Sequence, residues 1–227
     1  MKPFKRFALA TAVVLCSLAL LEPTNAATST TPVDNYRVEN ALRYLKLPVG
    51  KVDGVFTEST RRAFCIWREF SGQPINRNSL TLAQRATLVR NPKLQLPANL
   101  KPGLNLNLTC QSVAWVVLDA QTRSLTLKAI YVASSGMPGY TTPTGTYRIF
   151  SHVNAWQEST LYPGAMMYRP QYFNGGRAIH GSATDALVKT YPASHGCVRM
   201  LHSSVDALWA GGLGIGSQVQ IYGQWRG

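Results

Sequence analysis

Hydrophobic positions change their spacing twice after an initial unbroken run. From Phe7 to Leu21 the chain is uncharged and mostly apolar. Val38, Ala41, Leu42 and Leu45 then recur at helical intervals, with Asp34 placed to cap the helix and Pro48-Val49-Gly50 to end it. Val52-Asp53-Gly54-Val55-Phe56 reads as a tight turn. Thr57 is placed to cap a second helix, whose apolar stripe is Ala63, Phe64, Trp67 and Phe70 and whose C-terminal end suits Gly72. Thr81-Leu82-Ala83-Gln84 has capping-box form and opens a third helix that runs to Arg90, before Asn91-Pro92.

Beyond Pro102 the period shortens to two. Leu104, Leu106 and Leu108 alternate with asparagines, 113–118 reads as a buried strand, and Leu125, Leu127, Ala129 and Tyr131 alternate again. Further strands are predicted at 146–150, 166–173, 177–180 and 218–222. One helix interrupts them, with Ser203 and Asp206 as its capping pair, Leu208-Trp209 on its apolar side and Gly211 at its end. The pattern predicts a small three-helix unit, 35–92, then a linker and first strand, 93–109, then a mainly β domain, 110–227, built as a sandwich or barrel-like sheet.

Composition narrows the setting. With 45% apolar and 10% aromatic residues among 227, the chain is too apolar for a disordered tail. Lys and Arg outnumber Asp and Glu 23 to 10, and a net charge of +13 favours polyanionic partners. Lys2, Lys5 and Arg6 precede the apolar run, and Thr24-Asn25-Ala26 follows it, which reads as a secretory signal over 1–26. The alternative is a membrane anchor, but the run is shorter than the roughly 20 residues that span a bilayer. A Thr/Ser-rich tail, 27–34, follows. Export turns the expected partner from nucleic acid to an anionic cell-wall polymer, with the protein in the periplasm or cell wall and no stable membrane span after cleavage. Ten Lys and Arg against four acids between 35 and 92 read as a basic surface, either merely solvated or a patch for that polymer.

Removing 1–26 leaves Cys65, Cys110 and Cys197, an odd number for an oxidising compartment. Cys197 stands in Ser194-His195-Gly196-Cys197-Val198-Arg199, and His180-Gly181 precedes it by a loop's length. A cysteine nucleophile needs a base, and a nearby cation lowers its pKa. Gly196 lets backbone approach a carbonyl, and successive N–H groups there could receive an oxyanion. The other readings are a buried inert thiol and a His/His/Cys zinc site, which lacks a fourth ligand.

His-Gly, an interval, then Ser-His-Gly-Cys-x-Arg resembles the signature of the L,D-transpeptidase catalytic domain. The resemblance extends to Gly136 through Tyr147, where Thr142, Pro143, Gly145 and Tyr147 match that family's stretch. It implies Cys197 as acyl-accepting nucleophile, His180 as base and acid, and the Gly181 carbonyl as the group orienting the imidazole. It also implies N–H groups of His195, Gly196 and Cys197 as the oxyanion hole, with Ser194 and Arg199 in support. No metal or organic cofactor is implied. Residues 35–90 resemble a peptidoglycan-binding domain through Val52, Asp53, Gly54, Phe56, Thr60, Ala63 and Phe64. With Cys197 as nucleophile, Cys65 and Cys110 remain. Cys65 falls opposite the apolar stripe of its helix, beside Arg61, Arg68 and Glu69. The two thiols either pair and clamp the two units or stay free.

The implied reaction is attack after the third residue of a peptidoglycan tetrapeptide stem, release of D-alanine, and transfer to an amine of a neighbouring stem, a 3→3 cross-link. Water as acceptor makes an L,D-carboxypeptidase, and a lipoprotein amine makes an anchoring enzyme. The competing class is a catalytically idle wall-binding protein. The resemblance also implies acylation of the cysteine by carbapenems.

Overall fold

The computed structural model describes residues 32–226; the expected export segment 1–26 and residues 27–31 of the tail lie outside the described residues. No helix among the described residues is long and apolar enough to cross a membrane. Among the described residues three helices come first: α1 (Pro32–Tyr44), α2 (Glu58–Glu69) and α3 (Leu82–Arg90). The caps expected of Thr57 and Thr81 form, each as a capping box. Thr57 Oγ1 accepts from Thr60 N while Thr57 N donates to Thr60 Oγ1, and Thr81 and Gln84 do the same at α3. Each box satisfies N–H groups that a helix start leaves without helical partners. The first helix starts earlier than the sequence reading places it, so Asp34 lies in its first turn, not at its cap. The buried carboxylate of Glu39 pins the turn that follows. It accepts from Asp53 N at 3.0 Å, Gly54 N at 2.8 Å and Thr60 Oγ1 at 3.2 Å.

The strands form one curled sheet. They are β1 (Gly103–Asn107), β2 (Ser112–Leu118), β3 (Leu125–Ser134), β4 (Gly145–Arg148), β5 (Ser151–His152), β6 (Trp156–Glu158), β7 (Met166–Asn174), β8 (Arg177–Ser182), β9 (Val198–Met200) and β10 (Gln218–Tyr222). The order is β4-β10-β1-β2-β3-β9-β8-β7-β5, with β6 on β7. The pairs β1–β10 and β8–β9 are parallel and the rest antiparallel. β5, β6 and β9 went unpredicted because two or three residues carry no readable alternation. The helix after β9 is α4 (His202–Ala210), and its cap is also a correction. Leu201 stands at the N-cap with no side-chain bond, and Asp206 instead accepts from Tyr168 Oη and Arg169 Nη1, both at 2.8 Å.

Two apolar clusters fill the interior formed by the described residues. One lies inside the sheet and α4, around Leu104, Val113, Ile179, Val198, Leu208 and Val219. The other is the core of the helices, and it continues onto the opposite face of the sheet through Ala114 and Val116. Burial of that second face explains why Asn105 and Asn107, on alternate positions of β1, are buried rather than solvated. Asn107 Oδ1 accepts from Thr109 N and Cys110 N. The same packing corrects the reading of α2. Cys65, Arg68 and Glu69, assigned to a polar side, are all buried: Cys65 against the β1–β2 loop, Glu69 against Tyr222 of β10, and Arg68 under the loop 76–79. Cys65 is joined to Cys110 by a disulfide, with Cα atoms 5.3 Å apart. Three of the basic residues of 35–92 are likewise structural. Arg68 donates to the carbonyls of Asn76, Asn78 and Ser79, Arg62 to that of Lys189 across the interface, and Arg85 is buried with them.

Candidate active site

The parallel pairing of β8 with β9 builds the site. Ile179 lies opposite Val198 and His180 opposite Arg199, so Cys197, one residue before β9, falls beside Ala178. Alternation then puts Ala178, His180, Cys197 and Arg199 on one face of the sheet. His180, Ser194, His195, Cys197 and Arg199 all line one cavity of about 160 Å³. Its other wall is largely apolar, from Tyr162, Ala165, Met166, Met167 and Leu187.

His180 is buried and its Nδ1 lies 2.7 Å from the Gly181 carbonyl. A carbonyl only accepts, so Nδ1 carries the hydrogen and Nε2 of the neutral ring is left as an acceptor. Burial lowers the imidazole pKa to about 4, against the Gly181 bond that raises it, and nearby Arg199 lowers it further. The half-buried Cys197 thiol is pushed up, also by burial, although the Ala178 N–H at 3.5 Å and the guanidinium groups of Arg199 and Arg177 pull the other way. The resting pair is therefore neutral thiol and neutral imidazole at pH 7. The expected cation is present, but desolvation outweighs it.

The loop carrying Cys197 is tied from two sides. Ser194 Oγ donates to the Cys197 carbonyl at 2.6 Å and accepts from Gly196 N at 3.1 Å. The buried Thr142 Oγ1 donates to the Gly196 carbonyl at 2.9 Å and accepts from Gly136 N at 2.9 Å. Gly196 has φ +110°, and a Cβ there would lie 3.1 Å from Arg177 Nε, so the loop requires glycine. Ser194 Oγ turns inward and engages the Gly196 N–H. The ring of His195 is exposed and stacks on Tyr162 at 4.5 Å and edge-on to Tyr140 at 4.8 Å. Pro143, Gly145 and Tyr147 stay outside the cavity. Tyr147 Oη donates to the carbonyl of Thr144 at 3.0 Å, closing the turn around Gly145, and its ring packs on Phe173.

Three further residues come to the site without a signal in the sequence pattern. Ser182 lines the cavity, and its Oγ is buried with no hydrogen-bond partner among the described residues. Arg177 lies against Gly196. His202 donates from Nε2 to the Ser182 carbonyl at 2.5 Å, and its ring fills the space where a Gly181 Cβ would lie.

The family model for YkuD, the L,D-transpeptidase catalytic domain, matches residues 105–221, just over half of the chain. The chain belongs to the L,D-transpeptidase family. The family acts on the peptidoglycan stem peptides of the cell wall. No curated protein sequence matches the chain. Among solved structures it is similar to the L,D-transpeptidase (residues 123–326) from Xylanimonas cellulosilytica DSM 15894. That alignment has TM-score 0.57 and 27% identity over 83% of this chain and 93% of that one. An L,D-transpeptidase from Stackebrandtia nassauensis shares the fold, with TM-score 0.53 and 24% identity over 85% and 92% of the two chains. Both alignments reach beyond the L,D-transpeptidase domain defined by the family model.

Proposed function

We propose that this L,D-transpeptidase is exported and forms 3→3 peptidoglycan cross-links through a thioester on Cys197. The observation that carries the reading is the shared strand face, where Cys197 and a His180 with free Nε2 open on one cavity. As Cys197 Sγ attacks the carbonyl carbon of the third stem residue, its proton passes to His180 Nε2. The oxyanion meets the N–H groups of His195 and Cys197. Collapse breaks the C–N bond, and the departing D-alanine amine takes the proton from His180. The acceptor amine then attacks the thioester and gives its proton to the imidazole, which returns one to the thiolate. Because both groups start neutral, proton transfer accompanies attack rather than preceding it. The arginines beside Cys197 stabilise the anionic state that burial alone would penalise. The helical unit serves the same end by holding the wall.

Incubation with a soluble tetrapeptide stem, with products identified by mass, tests this. D-alanine and a dimer joined through the third residues are expected. D-alanine with tripeptide alone would reassign the acceptor to water, and no D-alanine at all would overturn the enzyme reading.

A further inference from the structure

Two clefts outside the candidate active site meet at Trp225. One, of about 430 Å³, lies between the start of α2, the loop 75–78, Thr109 and the C-terminal Trp225 and Arg226. The other, of about 730 Å³, runs from Trp225 and Gln224 to Pro143, Thr142 and Gly136. Thr142 and Gly136 are the residues that buttress the Cys197 loop. A polymer lying along both clefts passes from the helical unit to the support of the candidate active site.

The two ends differ in charge. The first cleft presents Arg61, Arg77 and Arg226 against the single carboxylate of Glu58. The guanidinium of Arg77 lies over the Trp225 ring, 4.8 Å from its centroid, and Nη2 pairs with Glu58 at 3.1 Å. Its Nη1 is buried with no partner among the described residues. A buried donor without an acceptor is costly, and a carboxylate on the ligand would satisfy it in the geometry that guanidinium groups favour. Among the described residues the second cleft has no charged side chain; serine, threonine, proline, glycine and glutamine line it, with Leu108 and Trp225.

We propose that the Arg77–Trp225 cleft and its neutral extension bind a peptidoglycan strand, with a stem carboxylate on the arginines and sugar along Trp225 and the threonine-lined groove. A polymer with a phosphate on every unit would leave anions facing the neutral half, whereas neutral sugars with spaced carboxylates match both halves. This rests on the wall-enzyme reading above, and two assays separate them. The exported chain and its Trp225→Ala and Arg226→Glu variants are sedimented with sacculi stripped of phosphate polymers, and D-alanine release is measured on sacculi and on free tetrapeptide. Each variant is expected to bind sacculi about fivefold more weakly. Its turnover on sacculi, relative to free tetrapeptide, should fall in step. Arg226 is exposed, so its variant keeps the test sound if Trp225→Ala unfolds. Unchanged sacculus affinity in Arg226→Glu overturns the proposal, as does wild-type binding that disappears with the phosphate polymers. Weakened binding in a protein that never releases D-alanine would uphold the cleft and reject the enzyme reading.

Discussion

A neutral thiol beside a neutral imidazole answers pH differently from a thiolate–imidazolium pair. Burial raises the pKa of Cys197 and lowers that of His180 to about 4, so the thiolate fraction is small at neutrality and grows as pH rises. Alkylation of Cys197 by iodoacetamide should therefore climb steadily between pH 6 and 9, about tenfold per unit while the thiol stays mostly protonated. A rate that is flat over that range would show a preformed ion pair and contradict the account. Turnover of His180→Ala should fall by roughly 10²–10⁴-fold, the usual worth of a positioned base, with the alkylation profile little moved. The residues themselves were legible, since His180-Gly181 and the Ser194–Arg199 string carry the family resemblance. The protonation state was not, because it depends on how deeply strand pairing buries the two side chains.

At the scale of elements, the site depends on contacts between segments far apart in the chain. Thr142 reaches the Gly196 carbonyl across 54 positions, from a stretch whose other motif residues only shape a turn. Thr142→Val keeps the shape but strands the buried Gly136 N–H, so stability should drop by about 1–3 kcal/mol. Turnover should fall beyond what the loss of folded protein explains, because the Cys197 loop loses one of its two ties. Chemical denaturation paired with active-site titration measures both, and full activity per folded molecule would refute the tether. The starts of α2 and α3 were legible because their caps are local chemistry, whereas α1 begins earlier than its pattern suggests and the Ser203–Asp206 pair does not cap α4. The strand after Cys197 was not, since three residues show no period and β9 exists only through its neighbours β3 and β8.

Over the whole molecule, helices and sheet share one core, and this is where sequence patterns misled. Opposite faces of α2 and of β1 read as one apolar and one polar, yet both faces are buried because the two units press on each other. Polar residues at the seam are hydrogen-bonded instead of solvated: Tyr222 Oη donates to Glu69 Oε1, and Arg62 to the Lys189 carbonyl. The Cys65–Cys110 disulfide crosses the same seam, closing a loop of 45 residues. By chain entropy its removal should cost about 4 kcal/mol, and less where the unfolded chain keeps residual structure. Cys65→Ala combined with Cys110→Ala, compared with wild type by denaturant melts, checks this; a change under about 1 kcal/mol would show that the seam holds without the link.

The central claim is that one thiol, Cys197, takes the acyl group. Intact-mass analysis after incubation with a carbapenem, followed by peptide mapping, tests it most directly. The strained lactam carbonyl offers the thiolate an acyl centre, and no matched amine is present to discharge it. One adduct per chain is predicted, on Cys197, absent from Cys197→Ala, and forming faster as pH rises. An adduct retained by Cys197→Ala, or none on wild type at millimolar drug, would contradict it.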